Sequence, residues 1–173
     1  MLHEAAGGVG VAGGEAARGR RPAGPVAVGV VLLASVAVRL VLVEPLAVSG
    51  SSMEPTVRDG GVVLVGLRED PADLRRGDLL VLRDPEGALS LKRVAGVGGD
   101  TVVILDAVLT VNGQAVDEPY LDLATVDGSY APQVTVPEGH VYVLGDNRTR
   151  SVDSRDYGTV PLEDVVGQVL LTW

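Results

Sequence analysis

LSLKRVAGVGGDTVVILDAVLTVNG, residues Leu89–Gly113, holds three short apolar runs rich in Val, Leu and Ile, cut by GGD and DA and closed by NG. Runs this short, bounded by Gly, Asp and Asn, read as strands joined by tight turns rather than as helix. In the first of them alternation puts Leu89, Leu91 and Arg93 on one face and Ser90, Lys92 and Val94 on the other. The same pattern recurs in GVVLVGL, GDLLVLRDP, PQVTVPEGHVYVLGDN and VVGQVLLTW. No segment after residue 56 keeps a helical period for three turns, so this part of the chain is expected to be mainly β.

Composition narrows the chemistry. The 173 residues suit one ordinary domain with a short appendage. Phe and Cys are absent and aromatics make up 3%, so the core has to be built from Val, Leu, Ile and Ala. Without cysteine there is no disulfide, no thiolate catalysis and no Cys-ligated zinc. The two histidines, His3 and His140, cannot make a metal site with several imidazoles. Asp146 to Asp153 looks like a calcium loop, but Arg148 and Arg150 stand where an EF-hand needs oxygen ligands. Neither a metal nor a cofactor is expected. The net charge of −9 argues against a nucleic-acid partner, since phosphate binding needs clustered Lys and Arg.

Ahead of the strands lie two segments of different character. Residues 1–24 are rich in Gly and Ala, lack hydrophobic periodicity and read as a flexible tail, with Arg18, Arg20 and Arg21 near its end. Pro25 to Val48 carries only Arg39 and Glu44 as charges. A helix over Pro25–Val43 would run roughly 28 Å, close to the ~30 Å hydrocarbon core of a bilayer. A soluble core helix would need apolar partners on every side. A cleavable signal peptide fits the basic start and the Ala47-Val48-Ser49 site, but Arg39 interrupts its apolar region. A membrane anchor fits best, the arginines placing the N-terminus in the cytoplasm and Arg39 snorkelling near the outer surface. The expected organisation is a cytoplasmic tail (1–24), a transmembrane helix (25–45) and an extracytoplasmic β domain (46–173), with the chain in the cell membrane as a single-pass protein.

Three polar segments could carry chemistry. SGSSMEPTV, Ser49–Val57, crowds hydroxyls directly after the apolar segment. Of the 14 basic residues Lys92 alone is lysine. In a strand, lysine ordinarily faces solvent; in an apolar setting desolvation would lower its pKa and leave an amine able to take a hydroxyl proton. Arginine has no such option. GDNRTRSVDSRDYGTV, Gly145–Val160, reads as a self-bonded polar loop, with Asp153 and Arg155 close enough to pair and Asp146 and Asn147 suited to local Asx turns. Its Ser151 or Ser154 could hold a lysine amine. His140, at a strand mouth, is the one other base, without a nucleophile-elbow motif to accompany it.

SGSSMEPT, LKRVAGVGGD and GDNRTRSVDSR together resemble the serine, lysine and acidic-serine boxes of type I signal peptidases, in that order and behind an N-terminal anchor. RRGDLLVL, VNGQAVDEPY and VTVPEGHVYVLGDN are similar to further family segments, so the resemblance spans residues 25–173. It implies a membrane-tethered β-barrel or β-sandwich domain and a serine endopeptidase that cleaves signal peptides from secreted preproteins. Among the hydroxyls it selects Ser52 as nucleophile, before a methionine, with Lys92 as general base and Ser151 orienting the amine. Asp153 and Arg155 match the family's structural ion pair. The Ser52 amide is the first oxyanion donor. Gly50 stands where some members have a serine hydroxyl as the second, leaving that role to a main-chain group or water. By position Val48, Met53, Val57 and Leu91 are the expected walls of the pockets for small substrate residues at the first and third positions before the cut. Membrane lipid is the other expected partner. Two alternatives remain at this point: another Ser/Lys peptidase, of the self-cleaving repressor or conjugation-pilin type, and a membrane-tethered β domain without catalysis, in which Ser52 and Lys92 would lie far apart.

Overall fold

The computed structural model describes residues 28–30, 43–66, 73–126 and 130–173. The chain divides into two units, Met1–Val36 and Ala37–Trp173. Of the first, residues 28–30 are described and are helical. The second is mainly β, as the short apolar runs lead one to expect.

Its strands in chain order are β1 (Val43–Ala47), β2 (Val62–Gly66), β3 (Leu79–Arg83), β4 (Leu89–Val97), β5 (Thr101–Leu105) and β6 (Val108–Val111). There follow β7 (Gln114–Ala115), β8 (Ala131–Thr135), β9 (His140–Leu144), β10 (Val160–Pro161) and β11 (Val165–Thr172). One four-residue helix, α1 (Ser154–Tyr157), stands between β9 and β10. A seven-stranded antiparallel sheet has the order β1-β2-β11-β3-β4-β9-β10, and a four-stranded one the order β7-β6-β5-β8. β1 and β10 remain edges, so the expected barrel does not close among the described residues; the two sheets instead share a packed core.

That core has three parts. Ala95 of β4 and Tyr142 and Leu144 of β9 pack with Val102, Ile104, Leu109, Val111 and Ala131, which fastens the smaller sheet onto the larger. Leu80, Leu82, Val94, Val141 and Val143 fill a second cluster. Met53, Val57, Val63, Val65, Val81 and Leu91 form a third, under the loop between β1 and β2. β3 divides its side chains between the last two by simple alternation, Leu80 and Leu82 to one and Val81 to the other. In the smaller sheet the Asn112-Gly113 pair, both at positive φ, makes the tight turn from β6 to β7, as an NG signal between apolar runs requires. In the larger sheet, a side chain on Gly167 would collide with the Gly66 carbonyl, and its absence lets β11 lie close on β2.

One boundary differs from expectation. Val43–Pro45, placed at the end of the transmembrane helix, belong to β1, where Val43, Glu44 and Pro45 pair with Gly66, Val65 and Leu64. β2 offers these residues backbone partners that a helix end cannot supply, and Pro45 is tolerated because β1 is an edge. The expected span before residue 43, residues 28–30 aside, lies outside the described residues, as does the tail. Among the described residues no helix is long and apolar enough to cross a membrane.

Candidate active site

The loop from Val48 to Gly61 joins two paired strands and is closed at its base. Val48 N–H donates to the Gly61 carbonyl at 2.8 Å, and Gly60 N–H to the Val48 carbonyl at 2.9 Å. Met53 and Val57 hold the loop down, fully and almost fully buried in the third core cluster. Between these anchors Ser52 is half-buried, with its carbonyl accepting from the Asn147 amide at 3.0 Å. Two distant polar segments thus meet at one backbone hydrogen bond.

Lys92 reaches the same place from β4. It stands opposite Leu80 in the β3–β4 ladder, is 4% exposed, and its Nζ lies 3.4 Å from Ser52 Oγ. Burial pushes its pKa below the usual lysine value, against the opposing pull of the Asp153 and Asp84 carboxylates, while Arg155 lowers it further. The shift toward the neutral form has a physical reason: an ammonium here has lost most of its water without gaining a direct carboxylate contact. The separation is long for a hydrogen bond, as is common in unliganded sites whose contacts tighten when substrate binds.

Around this pair two ion pairs hold the frame. Asp153, fully buried, accepts Arg155 Nε at 2.8 Å and Nη2 at 2.9 Å, and the Gly145 amide at 2.9 Å. It also caps α1, in a capping box completed by Asp156. The second pair escaped sequence reasoning. Asp146 does not make the expected local turn; its carboxylate is gripped by Arg93, Nε at 2.8 Å and Nη2 at 2.7 Å, and it accepts the Thr56 hydroxyl. Arg93 Nη1 meanwhile donates to the Gly77 carbonyl, and its guanidinium lies 3.8 Å from the Tyr120 ring centre. One arginine so joins the serine loop, the RRGD turn, β4 and the GDN turn. Fifty-three residues separate Arg93 from Asp146, and no local pattern signals such a contact.

The other expected residues are placed as follows. Ser151 is near Gly145, but its buried Oγ has no hydrogen-bond partner and makes no bond to Lys92. Gly50 has φ of 103°, a conformation unfavourable to any side chain, and its amide donates to Asp59 Oδ1 at 2.8 Å. His140 is half-exposed at the start of β9, its Nδ1 near the Glu138 carbonyl and not directed at a serine. Val48 and Leu91 line a groove of about 180 Å³ beside Ser52, together with Leu46, Ala47, Ser49, Leu89 and Ser90. Met53 and Val57 do not: both are sunk in the core, because the loop needs them as anchors. The groove has a free backbone on each side. β1 is an edge strand, and Leu89–Leu91 precede the point at which β4 begins to pair with β9.

Gly145 has no room for a side chain. A Cβ there would overlap the Ser151 side chain and approach the Ser52 carbonyl to 2.7 Å. Gly145→Ala is expected to destabilise the domain by about 1–3 kcal/mol through overpacking. Thermal melts of the variant and its parent check this; an unchanged melting temperature would show that the Ser52 backbone tolerates the displacement.

Similarity to known proteins places the chain in a family. The chain matches the family model described as signal peptidase, peptidase S26, over residues 23–173. It is 38% identical over 165 residues to signal peptidase I of Bacillus caldolyticus, covering 88% of each chain. To signal peptidase I T of Bacillus subtilis (strain 168) it is 35% identical over 153 residues, covering 82% of this chain and 79% of that one. A crystal structure of a signal peptidase I from Enterococcus faecalis V583 superposes with a TM-score of 0.50 at 36% identity, over 57% of this chain and 97% of that one. A match that runs from residue 23 through the last strand, at this level of identity, makes the chain a member of the signal peptidase family, peptidase S26.

Proposed function

We propose that this protein is a membrane-bound serine endopeptidase that removes N-terminal signal peptides from secreted preproteins, with Ser52 as nucleophile and Lys92 as general base. Membership of the family supports the activity. The observation that carries the residue assignment is the 3.4 Å approach of a buried lysine amine to a serine hydroxyl. A β domain without catalysis gives no reason for that approach, and a buried amine with a lowered pKa is a cost such a domain would not need.

In the proposed reaction neutral Lys92 takes the Ser52 proton as Oγ attacks the carbonyl carbon of the scissile bond. The new oxyanion is met by the Ser52 amide. Collapse of the tetrahedral adduct breaks the C–N bond, and the Lys92 ammonium protonates the departing amine, leaving the signal peptide as an ester on Ser52. The amine, neutral again, takes a proton from water; hydroxide adds to the ester, and Ser52 leaves with the proton returned to it. Asp153, Arg155 and Ser151 have supporting roles, the ion pair by holding the loop beside Gly145 and the Ser151 hydroxyl by turning toward the amine. Gly50 gives no side-chain donor to the oxyanion.

The groove suits an extended peptide lying between the free edges of β1 and β4, in the manner of an added strand. Small side chains at the first and third positions before the cut would sit against Val48, Leu91 and Leu46. Residues 1–24 and the segment from 25 to the start of β1 are assigned as cytoplasmic tail and membrane anchor, with the domain on the outer side of the membrane. Tethering enzyme and signal peptide in one plane raises their effective concentration.

The pH dependence of kcat/KM on a synthetic signal-junction peptide tests the base. Only the neutral amine can accept the proton, so the rate falls as pH drops through the Lys92 pKa, by about tenfold per pH unit below it. Since burial lowers that pKa, the midpoint of the acid limb is expected below 10.5. A rate independent of pH on the acid side would remove Lys92 from the role of base.

A further inference from the structure

The groove beside Ser52 does not end at Leu46. A second cavity of about 70 Å³ begins there, lined by Glu44, Pro45, Leu46, Val65, Leu89 and Val166. Leu46 and Leu89 line both spaces, so the two adjoin along β1. Its floor is apolar: Val65 is a member of the third core cluster, and Val166 packs against that cluster. Glu44, exposed on the edge strand, is the one charge among its lining residues.

A local irregularity lies at the wall of the cavity. Against β3, β11 pairs Val165 with Leu82 and then Gly167 with Val81, so Val166 is the extra residue of a bulge. A bulge leaves its extra residue out of the ladder and re-aims the side chain. Here the side chain is half-buried and forms one wall of the cavity, on the face opposite Val165, which packs against the second cluster.

We propose that this cavity is a subsite for an aliphatic side chain of the preprotein at the fifth position before the scissile bond, with Val166 setting its depth. The inference rests on the groove being the peptide-binding site. In an extended chain every second side chain faces the same way, at a repeat of roughly 6.6–6.8 Å. Along β1 the groove next to Ser52 uses Val48 and Leu46, and the second cavity uses Leu46 and Glu44, one repeat further from Ser52. A peptide whose first and third residues face the groove therefore presents its fifth to the cavity. An aliphatic side chain leaves water there, whereas an aspartate would face both an apolar floor and the Glu44 carboxylate.

Three peptides that differ only at the fifth position, as Leu, Gly or Asp, test this on the full chain in detergent micelles. The expected order of kcat/KM is Leu, Gly, Asp, with Leu preferred over Gly by about tenfold. In Val166→Phe the ring fills the cavity, and the Leu to Gly ratio falls to within about twofold. Because the ratio is measured within one variant, a general loss of folded enzyme cancels. Val166→Ala deepens the space and shifts the preference from Leu toward Phe at that position. Equal rates for the Leu and Gly peptides in the parent enzyme, with cleavage still dependent on Ser52, would overturn the subsite and leave the peptidase reading standing. Cleavage that persists in Ser52→Ala would overturn both.

Discussion

Ser52→Ala is expected to reduce kcat/KM for a signal-junction peptide by at least roughly 10⁴-fold while leaving the melting temperature nearly unchanged. Loss of the nucleophile removes the covalent path altogether, and what remains is the modest rate that binding and oxyanion donors can supply. The fold should tolerate the change because the half-buried hydroxyl contributes one long hydrogen bond, to Lys92. The loop anchors Met53 and Val57, and the main-chain bond from Asn147, are untouched. Ser51→Ala is the control. Ser51 is half-buried in the same turn and has no side-chain bond among those described, so its loss should change kcat/KM by no more than about threefold. If the two variants exchanged behaviour, the nucleophile would have to be moved by one residue.

Lys92→Arg is expected to lower kcat by about 10²–10⁴-fold, with little change in KM. Arginine preserves the positive charge that a purely structural role would need, but its guanidinium stays protonated and cannot take the Ser52 proton. A guanidinium is also bulkier than an ammonium in a site that is 4% exposed, so misfolding has to be separated from loss of the base. Lys92→Met does this. It fills the space of the lysine stem beside Leu80 without charge, and should fold at least as stably, since the buried amine is a desolvated group. Both variants inactive, with the methionine variant melting no lower than the parent, is the predicted result. Cleavage by folded Lys92→Arg near the parental rate would make the Ser52–Lys92 pair a structural contact.

Much of the fold was legible in the sequence because strand signals are local. The runs in Leu89–Gly113 needed only alternation and turn residues to be read, and the Asn112-Gly113 turn appears where its two residue types require it. The start of β1 differs from expectation because Val43, Glu44 and Pro45 lie within a long stretch, Pro25 to Val48, in which Arg39 is the one other charge. What makes them a strand is β2, whose residues come about twenty positions later. Ser52 and Lys92 were legible as candidates through the serine and lysine boxes, and the structure brings their side chains together. The pocket walls were half legible. Val48 and Leu91 line the groove, but Met53 and Val57, equally apolar and close to Ser52 in sequence, turn into the core. Sequence proximity cannot distinguish a side chain that meets substrate from one that anchors the loop.

By itself, then, the sequence determined the mainly β character, the apolar composition of the core, the family resemblance and the residue types available for chemistry. Each of these depends on residue identity or on spacing along a few neighbouring positions. Tertiary structure alone decided which groups meet. It put a lysine amine from β4 beside a serine in the β1–β2 loop, took Asp146 from its own turn to Arg93, and set the bulge residue Val166 in the wall of a cavity next to the groove. The physical reason is common to all three. Desolvation and ion pairing depend on distances through space, and in an antiparallel sheet those distances are set by strand order and register, which join residues forty or fifty positions apart.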